Sequence, residues 1–339
     1  MAQQIRVLLT GASGSIGREV LAQLIEQKQE YEIIVFDKPS KAARSVLTPY
    51  ERDVEIVYGD ISFFDQIATV THNIDVVIHL AAIIPPLADD NPKLAERVNV
   101  QGTKNLLKAI SKNSPNAFLL YSSSVAVYGD RLQNPDIRVG DTLSPSLGDA
   151  YAQTKITTEN LIQESGLAWS IFRLAAIIGV KNHKMSKIMF HMPLDTMMEI
   201  CSPSDTARAF VNAIEKQGEL QNRIFNLGGG PQFRITYRNF LQTNFKLYGL
   251  GDFDFPEEAF AQKNFHCGNY VDGDVLENIL HFRRDNLETY VQNLKKAISP
   301  IQLLATKMFA GIAKKKILKL SEPLEAKRNN DIEMLNQFF

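Results

Sequence analysis

Three glycines spaced three residues apart, Gly11, Gly14 and Gly17, stand where an apolar run gives way to a segment of helical period. The run Ile5–Thr10 has the composition of a buried strand, and residues 18–28 have the apolar spacing of a helix. Glycines at such a junction permit a tight turn and the close approach of another group to the backbone. The junction therefore predicts a strand, turn and helix of the kind that opens a doubly wound α/β fold.

The same alternation continues along the first half of the chain. Further strands are predicted at residues 32–36, 55–58, 75–79, 117–121 and 170–174, and helices at 92–112 and 151–165. Near-continuous apolar strands separated by helices are typical of a parallel sheet covered on both faces. We therefore predict the α/β class, with a Rossmann-type doubly wound parallel sheet and a smaller C-terminal substrate-binding domain.

The glycine turn is suited to bind the pyrophosphate of a dinucleotide, because the positive end of a helix attracts phosphate charge. Asp37 ends the second predicted strand, 20 residues past Gly17. A carboxylate there can accept hydrogen bonds from the adenine ribose and repels a 2′-phosphate, which favours NAD over NADP. Lys38 and Arg44 are nearby cations that would weaken this preference. A ligand-free turn with a solvated carboxylate is the alternative.

Tyr151 and Lys155 lie four residues apart on a predicted helix, so their side chains share one face. A nearby ammonium is expected to lower the pKa of the phenol, which could then act as a general acid or base. Ser124, predicted just past the fifth strand, could donate a hydrogen bond to a substrate oxygen. An exposed helix pair is the plain alternative. The serine-ended strand and the glycine turn make that coincidence improbable.

The pattern loosens after residue 178. We predict that Ser204 and Asp205 cap a helix over residues 206–216, that residues 223–227 return to the sheet as a strand, and that Asp285 caps a helix over 286–298. We assign residues 1–178, with 205–230, to the NAD-binding domain. Residues 179–204 and 231–320 are assigned to the smaller substrate-binding region, and 321–339 to a tail.

Several short motifs occur in a specific order: T-G-A-S-G-S-I-G from Thr10, G-D-I from Gly59, H-L-A-A from His79, N-V-Q-G-T from Asn99, S-S-S-V-A-V-Y-G from Ser122 and Y-A-Q-T-K from Tyr151. In these residues the chain resembles the extended short-chain dehydrogenase/reductases, the NAD-dependent epimerase/dehydratase group. The resemblance implies that Ser124, Tyr151 and Lys155 are catalytic. It also implies a cofactor site lined by Gly11, Ser13, Gly14, Ser15, Ile16, Gly17, Asp37, Asp60, Ile61, Leu80, Ala81, Ala82, Asn99, Ser122, Tyr151 and Lys155.

At the expected substrate site, the sequence differs from the pattern of the nucleotide-sugar enzymes of the group. Such enzymes usually carry an asparagine soon after the arginine at the end of the sixth strand, whereas Arg173 is followed by L-A-A-I-I. The span to residue 205 is short and rich in methionine, at Met185, Met189, Met192, Met197 and Met198. Methionines of this density serve adaptable packing or an apolar pocket.

We therefore expect an NAD-dependent oxidoreductase that acts on a non-nucleotide alcohol or ketone. Two alternatives stay open. One is a nucleotide-sugar epimerase or dehydratase, and the other is a dinucleotide-sensing protein without catalysis.

Composition excludes several other classes. The formal net charge of −1 over 339 residues offers no field for nucleic acid. Two cysteines, Cys201 and Cys267, are too few for a disulfide framework or a four-ligand zinc site. With no uncharged apolar stretch of about 18 residues and no signal-peptide pattern at the first residues, we expect a cytoplasmic protein and no membrane span. A homodimer is left open.

Three further features lie after residue 180. Residues 301–320 mix apolar side chains with Lys314, Lys315 and Lys316, as in a helix docked on its own protein or an amphipathic helix for a membrane or partner. Residues 321–339 are predicted to be a mobile tail unless Phe338 and Phe339 dock it. His183, His191 and the His266–Cys267 pair are expected to be structural and not to bind substrate or metal.

Overall fold

The structure, a computed structural model, describes residues 4–180 and 185–339. Its main feature is a sheet of seven parallel strands. They are β1 (Ile5–Thr10), β2 (Tyr31–Asp37), β3 (Glu55–Tyr58), β4 (Val76–His79), β5 (Phe118–Ser124), β7 (Ala168–Leu174) and β10 (Arg223–Leu227). The predicted parallel sheet is confirmed, with β5 extending through the serine run.

The strand order β10-β7-β5-β4-β1-β2-β3 reverses direction between β1 and β4. Val7 of β1 pairs with Ile33 of β2 on one side and with Val76 of β4 on the other. In open α/β sheets such a reversal leaves a crevice at the carboxyl ends of the strands, where ligands bind. The crevice here lies beyond Thr10, His79 and Ser124.

Helices cover both faces of the sheet. One face is covered by a core that includes α1 (Ser15–Glu26), α8 (Pro203–Asn212) and α11 (Asp274–Leu280), and the other by α3 (Phe64–Ala68), α6 (Gly102–Asn113) and α7 (Ala150–Gln163). Shorter helices join them: α2 (Lys41–Leu47), α4 (Leu87–Asp90), α5 (Pro92–Ala95) and α9 (Gln217–Leu220). Each sheet face thus buries a separate apolar cluster.

A second apolar core gathers the residues that follow β7. It packs Phe190, Phe245 and Phe260 among three short strands, β8 (Ala176–Ile177), β9 (Met197–Cys201) and β11 (Arg234–Thr236). The helices of this region are α10 (Tyr237–Leu247), α12 (Leu287–Ala297), α13 (Pro300–Met308) and α14 (Ala310–Leu318). A small pair of strands, β6 (Asp136–Ile137) and β12 (Asn269–Tyr270), links the two regions. The domain limits assigned from the sequence stay a prediction.

Two predicted helix caps are wrong by a few residues. Ser202, not Ser204 or Asp205, caps α8, because its hydroxyl accepts the Asp205 N–H at 3.0 Å and Pro203 follows as the first helical residue. Asn286, not Asp285, caps α12 in a reciprocal pair with Thr289. The carboxylates instead join the two segments. Asp205 accepts the Asp285 N–H at 2.8 Å, and Asp285 accepts the Ser202 hydroxyl at 2.6 Å.

The helix predicted over residues 92–112 contains a π-helical segment, Glu96–Gln101, between α5 and α6. The wider turn leaves the carbonyl of Asn99 available to the hydroxyls of Thr103, at 2.6 Å, and Thr158, at 3.3 Å. The irregular segment therefore fastens this helix to α7. A π-helical turn does not change the apolar periodicity of a helix, so it could not be predicted from that pattern.

Residues 321–339 form two further helices, α15 (Glu322–Asn329) and α16 (Ile332–Phe338). Phe338 is 3% exposed and its ring lies 5.0 Å from that of His191, so the docked alternative describes the last residues and the mobile tail does not. Among the described residues, no helix is long and apolar enough to cross a membrane.

Candidate active site

The glycine turn lies at the switch point of the sheet. Gly11 has a φ of +77°, and a Cβ there would meet the Ala81 nitrogen at 2.7 Å. A Cβ at Gly17 would lie 2.2 Å from the Gly11 carbonyl oxygen. Gly14 precedes α1 as its N-cap, and Ser15 and Ile16 begin the helix. The turn therefore requires glycine for close packing and presents a helix N-terminus without a side-chain cap, which fits a pyrophosphate.

Asp37 is held against this turn. Its carboxylate is 5% exposed and accepts three hydrogen bonds, from the Ser13 N–H at 2.7 Å, the Ser13 hydroxyl at 3.0 Å and the Lys38 N–H at 2.8 Å. The carboxylate thus stands at the end of β2 beside the glycines, where the adenine ribose was predicted. Arg44 stacks on the Tyr58 ring at 4.2 Å, so its guanidinium is engaged there.

Asp60 and Ile61 follow β3 at the same edge of the sheet. Asp60 accepts hydrogen bonds from the N–H of Ser62 at 2.9 Å and from its hydroxyl at 2.7 Å, which closes a local turn. Ile61 is 5% exposed, and a Cβ at Gly102 would lie 2.6 Å from its Cγ2. The structure therefore shows local and packing contacts for both, and their adenine contact stays a prediction.

Hydrogen bonds with Thr10 and with Asn99 fix the loop that follows β4. Leu80 and Ala81 donate their N–H groups to Thr10, at 3.2 Å to its carbonyl and 3.3 Å to its hydroxyl. Asn99, 2% exposed, accepts the Ile83 N–H at 2.7 Å and donates to the Ile83 carbonyl at 2.9 Å. Asn99 also donates to the Thr154 hydroxyl at 3.1 Å. Its amide thus positions the loop that holds Ala82, and a direct cofactor contact stays a prediction.

His79 stabilises the site through hydrogen bonds. It belongs to the H-L-A-A motif, but no role was predicted for it from the sequence. Its ring nitrogens lie 2.7 Å from the Thr10 hydroxyl and 2.9 Å from the Thr103 hydroxyl. Burial, aided by the Lys155 charge, lowers the pKa of His79 to about 3. A neutral imidazole therefore links β1, β4 and α6 beneath the glycine turn.

Ser124, Tyr151 and Lys155 come together where β5 ends and α7 begins. Ser124 is the last residue of β5, not just past it, and its hydroxyl forms a hydrogen bond with the Tyr151 phenol. The Lys155 ammonium lies 5.7 Å from the centre of the Tyr151 ring and donates to the Ser122 carbonyl at 2.6 Å. Ser122 thus orients Lys155 through its backbone, while its hydroxyl bonds the His79 carbonyl at 3.3 Å.

The predicted acidification of the phenol is not what the structure shows. Burial raises the pKa of Tyr151 well above its usual value, the Ser124 hydrogen bond lowers it less, and the carboxylates of Asp149 and Asp89 raise it further. Burial also lowers the pKa of Lys155 to about 7, partly offset by Glu159. The expectation considered the ammonium alone, whereas the desolvation of both groups outweighs it.

Glu159, on α7, belongs to a buried ion pair. Arg173 makes a two-pronged contact with it, at 2.7 Å and 3.0 Å, and both side chains are at most 4% exposed. Arg173 also donates to the Tyr128 hydroxyl at 2.9 Å. This arginine is therefore a structural link between β7 and α7. Ala176, where nucleotide-sugar enzymes were expected to carry asparagine, lies in β8.

Four large apolar side chains are exposed in the segment that leads into α4, in the segment that leads to α7 and in the segment that begins at residue 185. Ile84 is 58% exposed, Leu87 47%, Leu147 66% and Met185 44%. Leu87 and Met185 flank an ion pair in which the Lys187 ammonium lies 2.9 Å from Asp90, and Leu147 lies four residues before Tyr151. We refer to these four side chains as the apolar rim. Of these four side chains, only Met185 was predicted from the sequence to line an apolar pocket.

The histidines have structural contacts where they are described. His266 lies 3.1 Å from Asp149, whose carboxylate caps α7 next to Tyr151, and His191 lies 2.6 Å from Glu322. His183 falls outside the described residues. No group of three or more potential metal ligands occurs within residues 4–180 and 185–339. Both cysteines are free and buried.

Comparison with known protein families gives a clear result. The model of the NAD dependent epimerase/dehydratase family matches residues 7–228. The chain belongs to this family. The matched region runs from β1 to the end of β10, and it contains the glycine turn and the Ser124, Tyr151 and Lys155 cluster. The predicted membership is confirmed, and so is NAD as the cofactor, since the family is described as NAD dependent.

Individual relatives are more distant. The chain is 30% identical to a 3-beta-hydroxysteroid dehydrogenase of Mycolicibacterium neoaurum over 55% of this chain and 51% of that protein. It is 33% identical to a UDP-glucose 4-epimerase of Halalkalibacterium halodurans over 46% of this chain and 44% of that protein. The chain thus spans about half the length of the curated relatives it matches.

Solved structures confirm the fold. The dTDP-glucose 4,6-dehydratase of Bacillus anthracis in complex with NAD superposes with a TM-score of 0.71 at 17% identity, over 86% of this chain and 96% of that one. The UDP-glucose-4-epimerase of Stenotrophomonas maltophila with bound NAD gives a TM-score of 0.72 at 19% identity, over 90% of this chain and all of that one. The Rossmann-type sheet with a second, C-terminal region is therefore confirmed.

Proposed function

We propose that this protein is an NAD-dependent oxidoreductase that interconverts an apolar, non-nucleotide alcohol and the corresponding ketone. The observation that carries the proposal is the assembly of Ser124, Tyr151 and Lys155 at the carboxyl edge of the sheet, beside the glycine turn. A buried phenol, a hydroxyl and an ammonium in one place provide proton transfer at a carbonyl or alcohol oxygen.

NAD, when bound, supplies the hydride acceptor or donor. The protein's own groups carry out the other tasks. Tyr151 takes the proton of the alcohol or returns one to the ketone, and Ser124 donates a hydrogen bond to the substrate oxygen. Lys155 lies on the same helix face as Tyr151, where its ammonium, when protonated, would offset part of the burial that raises the pKa of the phenol. Gly11, Gly14, Gly17 and Asp37 would hold the dinucleotide.

The apolar rim favours an apolar substrate. Among the described residues, three cations near the second core are already engaged. Arg234 lies 2.8 Å from Glu199, Arg283 donates to the Gly228 carbonyl at 2.8 Å, and Lys187 contacts Asp90 and Glu322. A 3-hydroxysteroid is the first compound to test, since relatives from Mycolicibacterium neoaurum, Mycobacterium tuberculosis, human and mouse are named for that substrate class.

The test is NADH formation, followed by absorbance, with a panel of 3-hydroxysteroids and other apolar alcohols. We expect turnover in the full chain and almost none in Tyr151→Phe, which keeps the ring. Net NADH with a sugar nucleotide alone would contradict the substrate class. NAD binding without turnover on any compound would favour the dinucleotide-sensing alternative.

A nucleotide-sugar epimerase or dehydratase is the second candidate. The likeness to the UDP-glucose 4-epimerase of Halalkalibacterium halodurans favours it. In that chemistry the cofactor is restored within each cycle, so sugar product would form without net NADH. Product analysis by chromatography alongside the absorbance assay separates the two candidates.

A homodimer and a cytoplasmic location remain predictions. Light scattering of the purified chain tests the dimer. Fractionation of the source cells tests the location.

A further inference from the structure

The helices α13 and α14 expose a row of apolar side chains. Ile301 is 82% exposed, Leu304 62%, Met308 71%, Phe309 57% and Ile312 69%. Their spacing places them on one side of a helical run that is nearly continuous through Phe309. We call these five side chains the outer face. Single exposed apolar residues are ordinary, but a contiguous group marks an interaction surface.

The opposite side of the same helices packs on the protein. Ile317 is 9% exposed within the second core, and Ala313 and Leu318 pack against that core. A Cβ at Gly249 would lie 3.0 Å from Leu303 Cδ1, so Leu303 lies against the loop after α10. The helices are therefore held in place by their inner side, and the outer face is not needed for that packing.

The chain segment that carries the outer face has charge of one sign. Between Glu288 and Glu322 the chain has seven lysines and no Asp, Glu or Arg, although the whole protein has a formal net charge of −1. Lys314 contacts Asp254 at 2.8 Å. The other six are exposed: Lys295, Lys296, Lys307, Lys315, Lys316 and Lys319. The exposed apolar strip thus lies in a segment whose charged side chains are all cationic.

We propose that the outer face docks on a membrane surface that contains anionic lipid. Exposed apolar side chains on one side of a helix enter the boundary between headgroups and acyl chains, and lysines beside them meet anionic headgroups. This charge complementarity favours a lipid surface over a second copy of the chain, whose own outer face would bring like charges together. The inference does not depend on the proposed activity.

The experiment is co-sedimentation of the full chain with vesicles. One set contains phosphatidylcholine alone and the other a mixture with phosphatidylglycerol. We expect binding to the mixed vesicles only, weakened by salt, and a loss of at least about tenfold in the combined variant Ile301→Gln, Met308→Gln and Ile312→Gln. Lys315→Gln with Lys316→Gln should weaken binding at low salt and make it less dependent on salt than in the unchanged protein. Phe63→Gln, at a side chain 55% exposed in the first region, is the matched control and should bind normally.

Three results would overturn the proposal. The first is unchanged vesicle binding by the combined variant, and the second is equal binding to neutral and anionic vesicles. The third is absence of binding together with a concentration-dependent dimer that the combined variant loses, which would mean that a second copy covers the outer face. Because the three substituted side chains are exposed, circular dichroism should show an unchanged fold in every variant.

Discussion

Asp37 shows how one residue can set cofactor choice. Its carboxylate is fixed by Ser13 and Lys38 at the edge of the glycine turn. A fixed negative charge there accepts the ribose hydroxyls and repels a 2′-phosphate. We expect NAD(H) to bind at least about tenfold more tightly than NADP(H), a difference of about 1.4 kcal/mol.

Titration by fluorescence measures both affinities. Asp37→Asn keeps an oxygen that can accept a hydrogen bond from Ser13, but it removes the negative charge. The substitution should therefore reduce the difference between the affinities for NAD(H) and NADP(H). Equal affinities in the unchanged protein would show that Asp37 does not contact the ribose.

The role of the Tyr151 hydroxyl can be isolated with one substitution. Tyr151→Phe removes only the oxygen that hydrogen-bonds with Ser124. If that oxygen transfers the proton, turnover should fall by on the order of 100-fold or more. The affinity for NAD should stay nearly unchanged, as measured by titration of the same preparation. Turnover close to that of the unchanged protein would rule out the proposed mechanism.

Lys155 should affect the pH dependence of the free energy of unfolding as well as turnover. Its folded pKa is lowered to about 7 from an ordinary value of 10.5, so between these values the unfolded chain binds the extra proton. The free energy of unfolding should therefore rise with pH across this window, by at most about 1.4 kcal/mol per pH unit. Lys155→Met should abolish turnover and lose this part of the pH dependence.

Urea unfolding of both proteins between neutral pH and pH about 9 tests the slope. Since other groups titrate in the same range, the quantity to compare is the difference between the two proteins. Parallel stability curves would mean that Lys155 keeps an ordinary pKa in the fold.

At the scale of elements, the sequence predicted the strands more reliably than the helix caps and the π-helical turn. Strands such as β1 and β3 are short, mostly apolar runs, and local composition is sufficient to place them. The wide turn at Asn99 depends on Thr158, which lies far along the chain. The carboxylates of Asp205 and Asp285 join two distant segments, which leaves the caps to their neighbours Ser202 and Asn286. The same reason explains the missed desolvation of Lys155, which results from packing against Tyr121 and Ser122.

The last helix offers a direct test of docking. Phe338 in α16 is 3% exposed and contacts His191, whereas Ile332 in the same helix is 70% exposed. Phe338→Ala should lower the free energy of unfolding by roughly 3 kcal/mol, because it leaves a cavity. Ile332→Ala should change it by about 0.5 kcal/mol or less. Chemical denaturation measures both, and equal effects would contradict the docked arrangement.

At the scale of the whole molecule, we expect the parallel sheet to serve cofactor binding and proton transfer, and the second region to serve substrate binding. The parallel sheet has the glycine turn and the catalytic cluster, and the second core has apolar packing with arginines that are already engaged. The fold of the sheet is shared with the dTDP-glucose 4,6-dehydratase of Bacillus anthracis. We therefore expect substrate choice to depend on the second region and on the apolar rim.

This division makes a sharp prediction for nucleotide sugars. Ala176 replaces the asparagine expected for a diphosphate, and Arg234 lies 2.8 Å from Glu199. A diphosphate without paired donors is poorly stabilised in a cleft, because desolvating its charge is unfavourable. We expect UDP, UDP-glucose and dTDP-glucose to bind in the millimolar range, about −4 kcal/mol, in calorimetry with NAD as the positive control. Micromolar affinity for any of them would show that the second region can free its arginines for phosphate, and the epimerase candidate would then stand ahead of the dehydrogenase.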